Sequence, residues 1–303
     1  PPPVSRAALA ILLSAVILAL AAAARLLAGA EPWTLALPDA PLVWELRGLR
    51  LAMGVGVGAS LALAGVLLQS LLRNPLASPE ILGLSAGAGL GVMAATYAAY
   101  RATGALFVYG GNVVPATAGA FAALGLVYAL SQRRGLLDPL TLVLTGVVVG
   151  IVAGAGTLLF QSLLPDRGQS TAIWFLGTLN DNASWAHVLG VLGCSVAGAT
   201  AAAALGPAMD AASLSEEEAR AVGVRLGALR AGQFLAAGVL TAGSVSLAGP
   251  IGFVGLVCPH AVRLIAGPGH RTLAVAAPLL GAALVVGADP GVRLVDLGGG
   301  RLP

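Results

Sequence analysis

The chain has 303 residues, 58% of them hydrophobic and 10% charged, with a mean hydropathy of +0.92. A soluble domain carries about 25% charged residues, so this composition describes an all-α polytopic membrane protein, and no hydrophilic block reaches domain size. Its cations are sixteen arginines and no lysine. A phosphate-binding loop needs Gly-Lys-Ser/Thr, so the chain has no Walker A motif of its own. The net charge of +3 is spread over loops without a basic run, which excludes a nucleic-acid surface.

Charge-free runs of about 20 residues mark the spans. The first covers 7–24 and has no small-residue cleavage site behind it, so it reads as an anchor helix rather than a signal peptide. A Pro/Trp-rich loop follows over 29–45, with Trp33 and Trp44 suited to the membrane interface. Spans are predicted at 51–72, 81–100, the latter part of 102–132, and 140–164. The segment 169–179 is too short to cross and carries Trp174, which predicts an interfacial or re-entrant turn. A sixth span covers 185–206. Residues 210–230 form a hydrophilic segment in which Ser215 and Glu218 fit a capping box and Gly223 a helix stop. The apolar run 231–262 is too long for one straight span and is split at Gly249-Pro250, and a ninth element covers 272–288. With the N-terminus in the cytoplasm, nine arginines fall inside and seven outside, which agrees with the positive-inside rule.

The joint between the second and third spans is the most unusual stretch. A polar break at Arg73-Asn74-Pro75 is costly in lipid, and such joints sit inside protein or line a wet cavity. Gln69, Asn74 and Ser78 place uncharged polar groups there, while Pro75 and Pro79 constrain the backbone. Two readings stand: a gate on a pathway, or a buried turn whose polar groups cap helix ends. The joint has an internal echo. Leu63-Ala64-Gly65 is followed ten residues after its glycine by Pro75, and Leu247-Ala248-Gly249 ten residues after its glycine by Pro259. Related halves are common in transporters.

Segment 210–230 reads either as a docking element for a cytoplasmic partner or as a solvated connector. Arg47, Arg50 and Arg293 flank spans on the expected outer side, where they either snorkel or seat acidic groups of a partner. Asp289 follows the ninth element, near enough to its end to need no function. Cys194 and Cys258 lie in apolar runs as small hydrophobes, and His187, His260 and His270 have no metal-ligand spacing, so no metal site or cofactor is expected. The glycine rows Gly83/Gly87/Gly91 and Gly146/Gly150/Gly154 are read as close helix packing.

The stretch GASLALAGVLLQSLLRNPLASPEILGLSAGAG resembles the signature of FecCD/BtuC-type permeases, the membrane subunits of ABC importers for iron-siderophores, haem and vitamin B12. Gly58, Leu61, Ala62, Gly65, Gln69, Asn74-Pro75-Leu76-Ala77, Pro79, Leu82-Gly83, Gly87 and Ala88 all fit its pattern. SLAGPIGFVGLVCPHAVRLIAGPGHR, LSEEEARAVGV, the Trp174…Gly177 pair and ADPGVR match four further blocks, so the resemblance runs from about residue 40 to the end.

The resemblance implies a ten-helix permease fold, one transmembrane domain over 1–303, in the inner (plasma) membrane. It implies a homodimer around a central pathway, two cytoplasmic ATPase subunits and a periplasmic or lipid-anchored binding protein. Gln69, Asn74, Pro75 and Leu76 would lie at a cytoplasmic gate, with Pro139 and Leu140 near a second gate loop. Ser215, Glu216, Glu217, Glu218, Arg220 and Gly223 would belong to the segment that meets the ATPases, and Arg47, Arg50 and Arg293 would pair with glutamates of the binding protein. The family's Arg-Leu-Pro-Arg reads Arg47-Gly48-Leu49-Arg50 here, and the polar residues usual in its second gate loop are Pro139-Leu140. Its pattern continues beyond Leu302-Pro303 into a tenth helix, so about nine spans are expected, with the last helix missing.

The expected activity is inward movement of metal chelates driven by ATP hydrolysis in a partner, the chain itself being no enzyme. The alternative is an iron-independent secondary transporter, which would want intramembrane Asp, Glu or His relays. A membrane enzyme would need a catalytic constellation, and neither a nucleophile elbow nor carboxylates paired within a span are present.

Overall fold

The structure, a computed structural model, describes residues 5–27, 41–104, 112–133, 136–165, 173–179 and 183–294. Among them are ten α-helices: α1 (Arg6–Leu27), α2 (Pro41–Leu71), α3 (Leu84–Thr103), α4 (Val113–Leu130), α5 (Pro139–Leu163), α6 (Trp185–Leu214), α7 (Glu216–Ala221), α8 (Leu226–Ala248), α9 (Val254–Ala266) and α10 (His270–Leu294). Seven are long and apolar enough to cross a membrane: α1, α2, α4, α5, α6, α8 and α10. Glycine-rich α3 is long enough but less apolar, and α9 is too short. Two 3-10 turns, Pro79–Leu82 and Ile173–Leu176, and a small hairpin pairing Gln132–Arg133 with Leu136–Leu137 complete the described elements.

α2 is the axis of the bundle. Of its most apolar window 83% is buried, against 11% for the peripheral α1. It packs against α10, α8, α6 and α9, while α3, α4 and α5 form a neighbouring group. Lipid is as apolar as leucine, so burial in a membrane is driven by close packing rather than by escape from water. α2 achieves it with small residues. A Cβ on Gly58 would lie 2.2 Å from the Gly281 carbonyl of α10, and one on Gly65 would lie 1.9 Å from the Gly255 carbonyl of α9. The helix backbones therefore touch at both crossings, and larger side chains such as Met53, Leu63 and Leu68 fill the space between.

Several boundaries differ from the sequence expectation, each because a proline or a charge was read as a stop. α2 begins at Pro41, so Trp44 and Arg47 are helical; proline is tolerated in a first turn, where its missing N–H has no intrahelical acceptor. α6 runs through Pro207 to Leu214 and takes Asp210 with it. α8 already starts at Leu226, leaving only the short α7 between two long helices. α10 continues through Pro290 and carries Asp289 inside the helix. The hairpin at 132–137 had no signal strong enough to predict it.

Candidate functional site

The joint between α2 and α3 has an exposed tip and a buried base. Arg73 adopts φ 49°, the left-handed region, which ends α2. The Asn74 side-chain oxygen accepts from the Leu76 backbone N–H at 2.9 Å, and the Ala77 N–H donates to the Asn74 carbonyl at 3.1 Å, so Asn74 organises the turn on both sides. Pro75 is exposed and Leu76 is 69% exposed, whereas Ala77, Pro79 and Leu82 are buried. Gly83 closes the joint at φ 70°, where a Cβ would lie 2.7 Å from the Gly146 carbonyl of α5.

Gln69 lies beneath this turn, 3% exposed. Its amide nitrogen donates to the Ala77 carbonyl and to the Gly255 carbonyl of α9, each at 3.3 Å. Its oxygen accepts from the Arg263 guanidinium at 3.0 Å. One residue on, Ser70 accepts from buried Gln233 of α8 at 2.9 Å. Polar groups thus fasten the end of α2 to two neighbouring helices.

α7 sits at the same end of the bundle. Ser215 accepts from the Glu218 backbone N–H at 3.0 Å and donates to its carboxylate at 2.8 Å, so the predicted capping pair forms, with the hydroxyl facing the glutamate. At the other end Gly223, φ 83°, donates to Arg220 and Val224 donates to Ala219, a Schellman closure. Ala219 is buried and seats the helix, while Glu217 points outward. Glu216 bridges to Arg220 at 3.3 Å and to Arg230 of α8 at 2.5 Å. The hydrogen bond and charge of Arg230 hold the Glu216 carboxyl below the usual glutamate range, with smaller contributions from Arg220 and from Arg73 of the joint.

Asp138 caps α5, accepting from the Thr141 N–H at 2.9 Å and from its hydroxyl. Those bonds depress its carboxyl, and Arg133 and Arg230 add to the effect. Pro139 and Leu140 form the first turn of α5, where the sequence starts that span, and Leu140 is 70% exposed. Proline at that position suits a helix start, where its absent N–H is not needed. The start of α5 and α7, which the sequence places far apart, thus share Arg230 as an electrostatic neighbour, and Arg73 of the joint acts on Glu216.

The other end of the bundle holds a second charged group. Arg25 Nε lies 2.5 Å from Asp289 Oδ2, a charge contact without hydrogen-bond alignment, and Arg50 Nη1 lies 3.5 Å from Oδ1. Arg25 and Arg50 are 4% and 6% exposed. Arg50, expected on the outer side of the membrane as a snorkelling residue or a seat for a partner's acidic groups, is buried against Asp289, and Asp289, expected to need no function, joins α1, α2 and α10. Arg47 donates to the Leu26 carbonyl at 2.5 Å. The Arg293 side chain lies outside the described residues. Beside this group a cavity of about 380 Å³ is bounded by Arg50, Asp289, Gly177, Thr178 and the Pro250–Gly252 turn. The Asp210–His270 contact, in which Asp210 accepts from the His270 backbone N–H at 3.0 Å and meets its ring at 2.6 Å, was likewise not foreseen. Arg25 offered one sequence signal, a charge closing an otherwise apolar span.

A bundle of span-grade helices around a buried small-residue helix, broken by a polar joint at one end, defines a multi-pass membrane protein of the transport class. The chain belongs to the FecCD transport family, whose model matches residues 8–297. It is 37% identical over 272 residues to the cobalamin import system permease protein BtuC of Halobacterium salinarum, covering 88% of this chain and 71% of that one. It is 35% identical over 248 residues to the Fe(3+)-citrate import system permease protein YfmD of Bacillus subtilis, covering 82% and 72%. Its fold matches a solved chain described as an inward-facing conformation of a transporter of the metal-chelate ABC type, with TM-score 0.82, 26% identity and coverage of 98% and 93%. Its relatives are ABC importer permeases, transport subunits rather than enzymes.

Proposed function

We propose that this chain, as one transmembrane domain over 1–303, is the permease of an ABC importer that carries metal chelates of the iron-siderophore, haem or cobalamin kind into the cytoplasm. It works as a homodimer in the inner (plasma) membrane, with two ATPase subunits below and a periplasmic or lipid-anchored binding protein above. The names of its relatives support the substrate class. The observation that carries the mechanism is the link from α7 through Glu216 and Arg230 to the joint. A short helix, capped at both ends and tied by an ion pair to α8, is a rigid lever. A push on α7 from an ATPase reaches α8 through Arg230 and the joint through Gln233 and Ser70.

In this reading Asn74, Pro75 and Leu76 form the cytoplasmic gate, with Gln69 beneath them and Pro139 and Leu140 beside it. Ser215, Glu216, Glu217, Glu218, Arg220 and Gly223 make up the coupling element. Arg47, Arg50 and Arg293 serve the binding protein, Arg50 after exchanging Asp289 for an incoming carboxylate. A secondary transporter is less well supported, since Asp289 is matched by two arginines rather than placed in a relay. The test is reconstitution with the ATPase and binding protein, with Glu216, Glu217 and Glu218 replaced by alanine. ATP-dependent uptake should collapse while the permease stays folded; unchanged uptake overturns the coupling role.

A further inference from the structure

We propose that Gln69 is a positioning residue that pins the 73–83 joint to α9, so that the joint and α9 move as one body. The argument starts from a missing donor. In an α-helix the carbonyl of residue 255 would receive the N–H of residue 259. Residue 259 is proline, inside α9, and has no N–H. The Gly255 carbonyl is therefore orphaned in a buried setting. Gly65 lets the α2 backbone come against that same carbonyl, since a Cβ there would lie 1.9 Å away. One helical turn further along α2, Gln69 supplies the donor at 3.3 Å.

The second amide hydrogen is used in the same way. The Ile81 N–H goes to the Ser78 carbonyl, and Gln69 donates to the Ala77 carbonyl. Arg263 fixes which way the amide points. A guanidinium only donates, so the group facing it must be the Gln69 oxygen, and both N–H groups must face the carbonyls. All three bonds link different pieces of chain: α2, the joint, and both ends of α9. Among the described residues Arg263 has no carboxylate partner, and its guanidinium donates to the Gln69 oxygen. The glycine–proline spacing repeated at 65–75 and 249–259 thereby acquires a physical meaning. The first copy provides the approach and the second frees the carbonyl that the first copy's helix binds.

The test follows the joint directly. Leu76→Cys and Leu264→Cys place spin labels on two exposed sites, one on the joint and one on α9, in a Cys194→Ser background that removes the exposed native thiol. Pulsed electron resonance of the chain in lipid nanodiscs should give one narrow distance. Gln69→Leu strips two buried carbonyls of their donor, which should shift the docked-to-undocked ratio by about tenfold and add a second distance. Adding Pro259→Ala returns an N–H to the Gly255 carbonyl and should recover much of the narrow peak. If Gln69→Leu does not fold, Gln69→Glu, isosteric and still able to meet Arg263, is read in its place. An unchanged distance in these variants, or a Pro259→Ala change that relieves nothing, overturns the pin. Its consequence for transport rests on the proposed function: importers assembled with the Gln69 variants should import about tenfold less. Labels that respond as described in a chain that imports nothing even unmutated would count against the importer reading and leave the pin standing.

Discussion

Arg230 of α8 closes on the Glu216 carboxylate of α7 at 2.5 Å, and this contact ties the short capped helix to a long membrane helix. Arg230 is 11% exposed on its side chain and Glu216 is 42% exposed, so the pair is half in water and its worth is screened. Arg230→Met should cost about 0.5–1 kcal/mol. The sign of its pH dependence follows from the depressed carboxyl. A carboxylate depressed in the folded state contributes fully above its unfolded value and loses that contribution as pH falls through the folded one. Thermal melts in detergent should therefore separate wild type from Arg230→Met at neutral pH. The two should converge only on acidification below the ordinary glutamate range; a gap that widens there would refute the pairing as its source.

Gly65 and Gly255 make a sharper prediction, because the space between α2 and α9 is set by backbone atoms that cannot give way. Gly65→Ala would force a methyl onto the Gly255 carbonyl, and the helices must part. The expected loss is about 1–3 kcal/mol or more. Gly232→Ala in α8, with nothing within 4 Å of its added carbon, serves as control and should be neutral or raise stability by up to about 1 kcal/mol. Equal effects of the two substitutions in a detergent-melt assay would overturn this account of the crossing.

The sequence made the joint, the capped helix and most spans legible, because each rests on local chemistry. Ser215 three residues before Glu218 is a capping signal wherever it sits, and Gly223 is a stop wherever φ must be positive. What it hid were relationships between distant segments. Asp289 looked incidental because its partners, Arg25 and Arg50, lie more than two hundred residues away on α1 and α2. The same distance hid the burial of Arg50 against Asp289. Asp210 looked like loop because a proline and a charge together suggest a boundary, whereas the helix continues and uses the carboxylate to receive the first N–H of α10.

The Arg25–Asp289–Arg50 group predicts an asymmetric response. Asp289→Asn removes the carboxylate that the two buried guanidiniums of Arg25 and Arg50 share, which should destabilise by about 3–5 kcal/mol. Replacing all three charges together with apolar residues should cost much less, since no unpaired charge remains. Size-exclusion profiles and melts of the single and triple variants check this. A triple variant worse than Asp289→Asn would mean that the group contributes net attraction rather than mutual neutralisation.

The caps of α7 give the last prediction, and it separates helix formation from helix use. Ser215→Ala removes the side-chain acceptor for the Glu218 N–H, at a cost of about 1 kcal/mol to the helix. Gly223→Ala places a Cβ at φ 83°, at about 1–2 kcal/mol. A helix of six residues has little else to hold it, and Ala219 is its one buried anchor. Amide exchange over 216–221 should therefore rise about fivefold with either change and more with both. The spans should melt as before, because α7 lies outside them. If α7 is the lever proposed, uptake in the assembled importer should fall with the loss of helix while ATP hydrolysis persists. Fast exchange with full uptake would show that the segment couples without being folded as a helix.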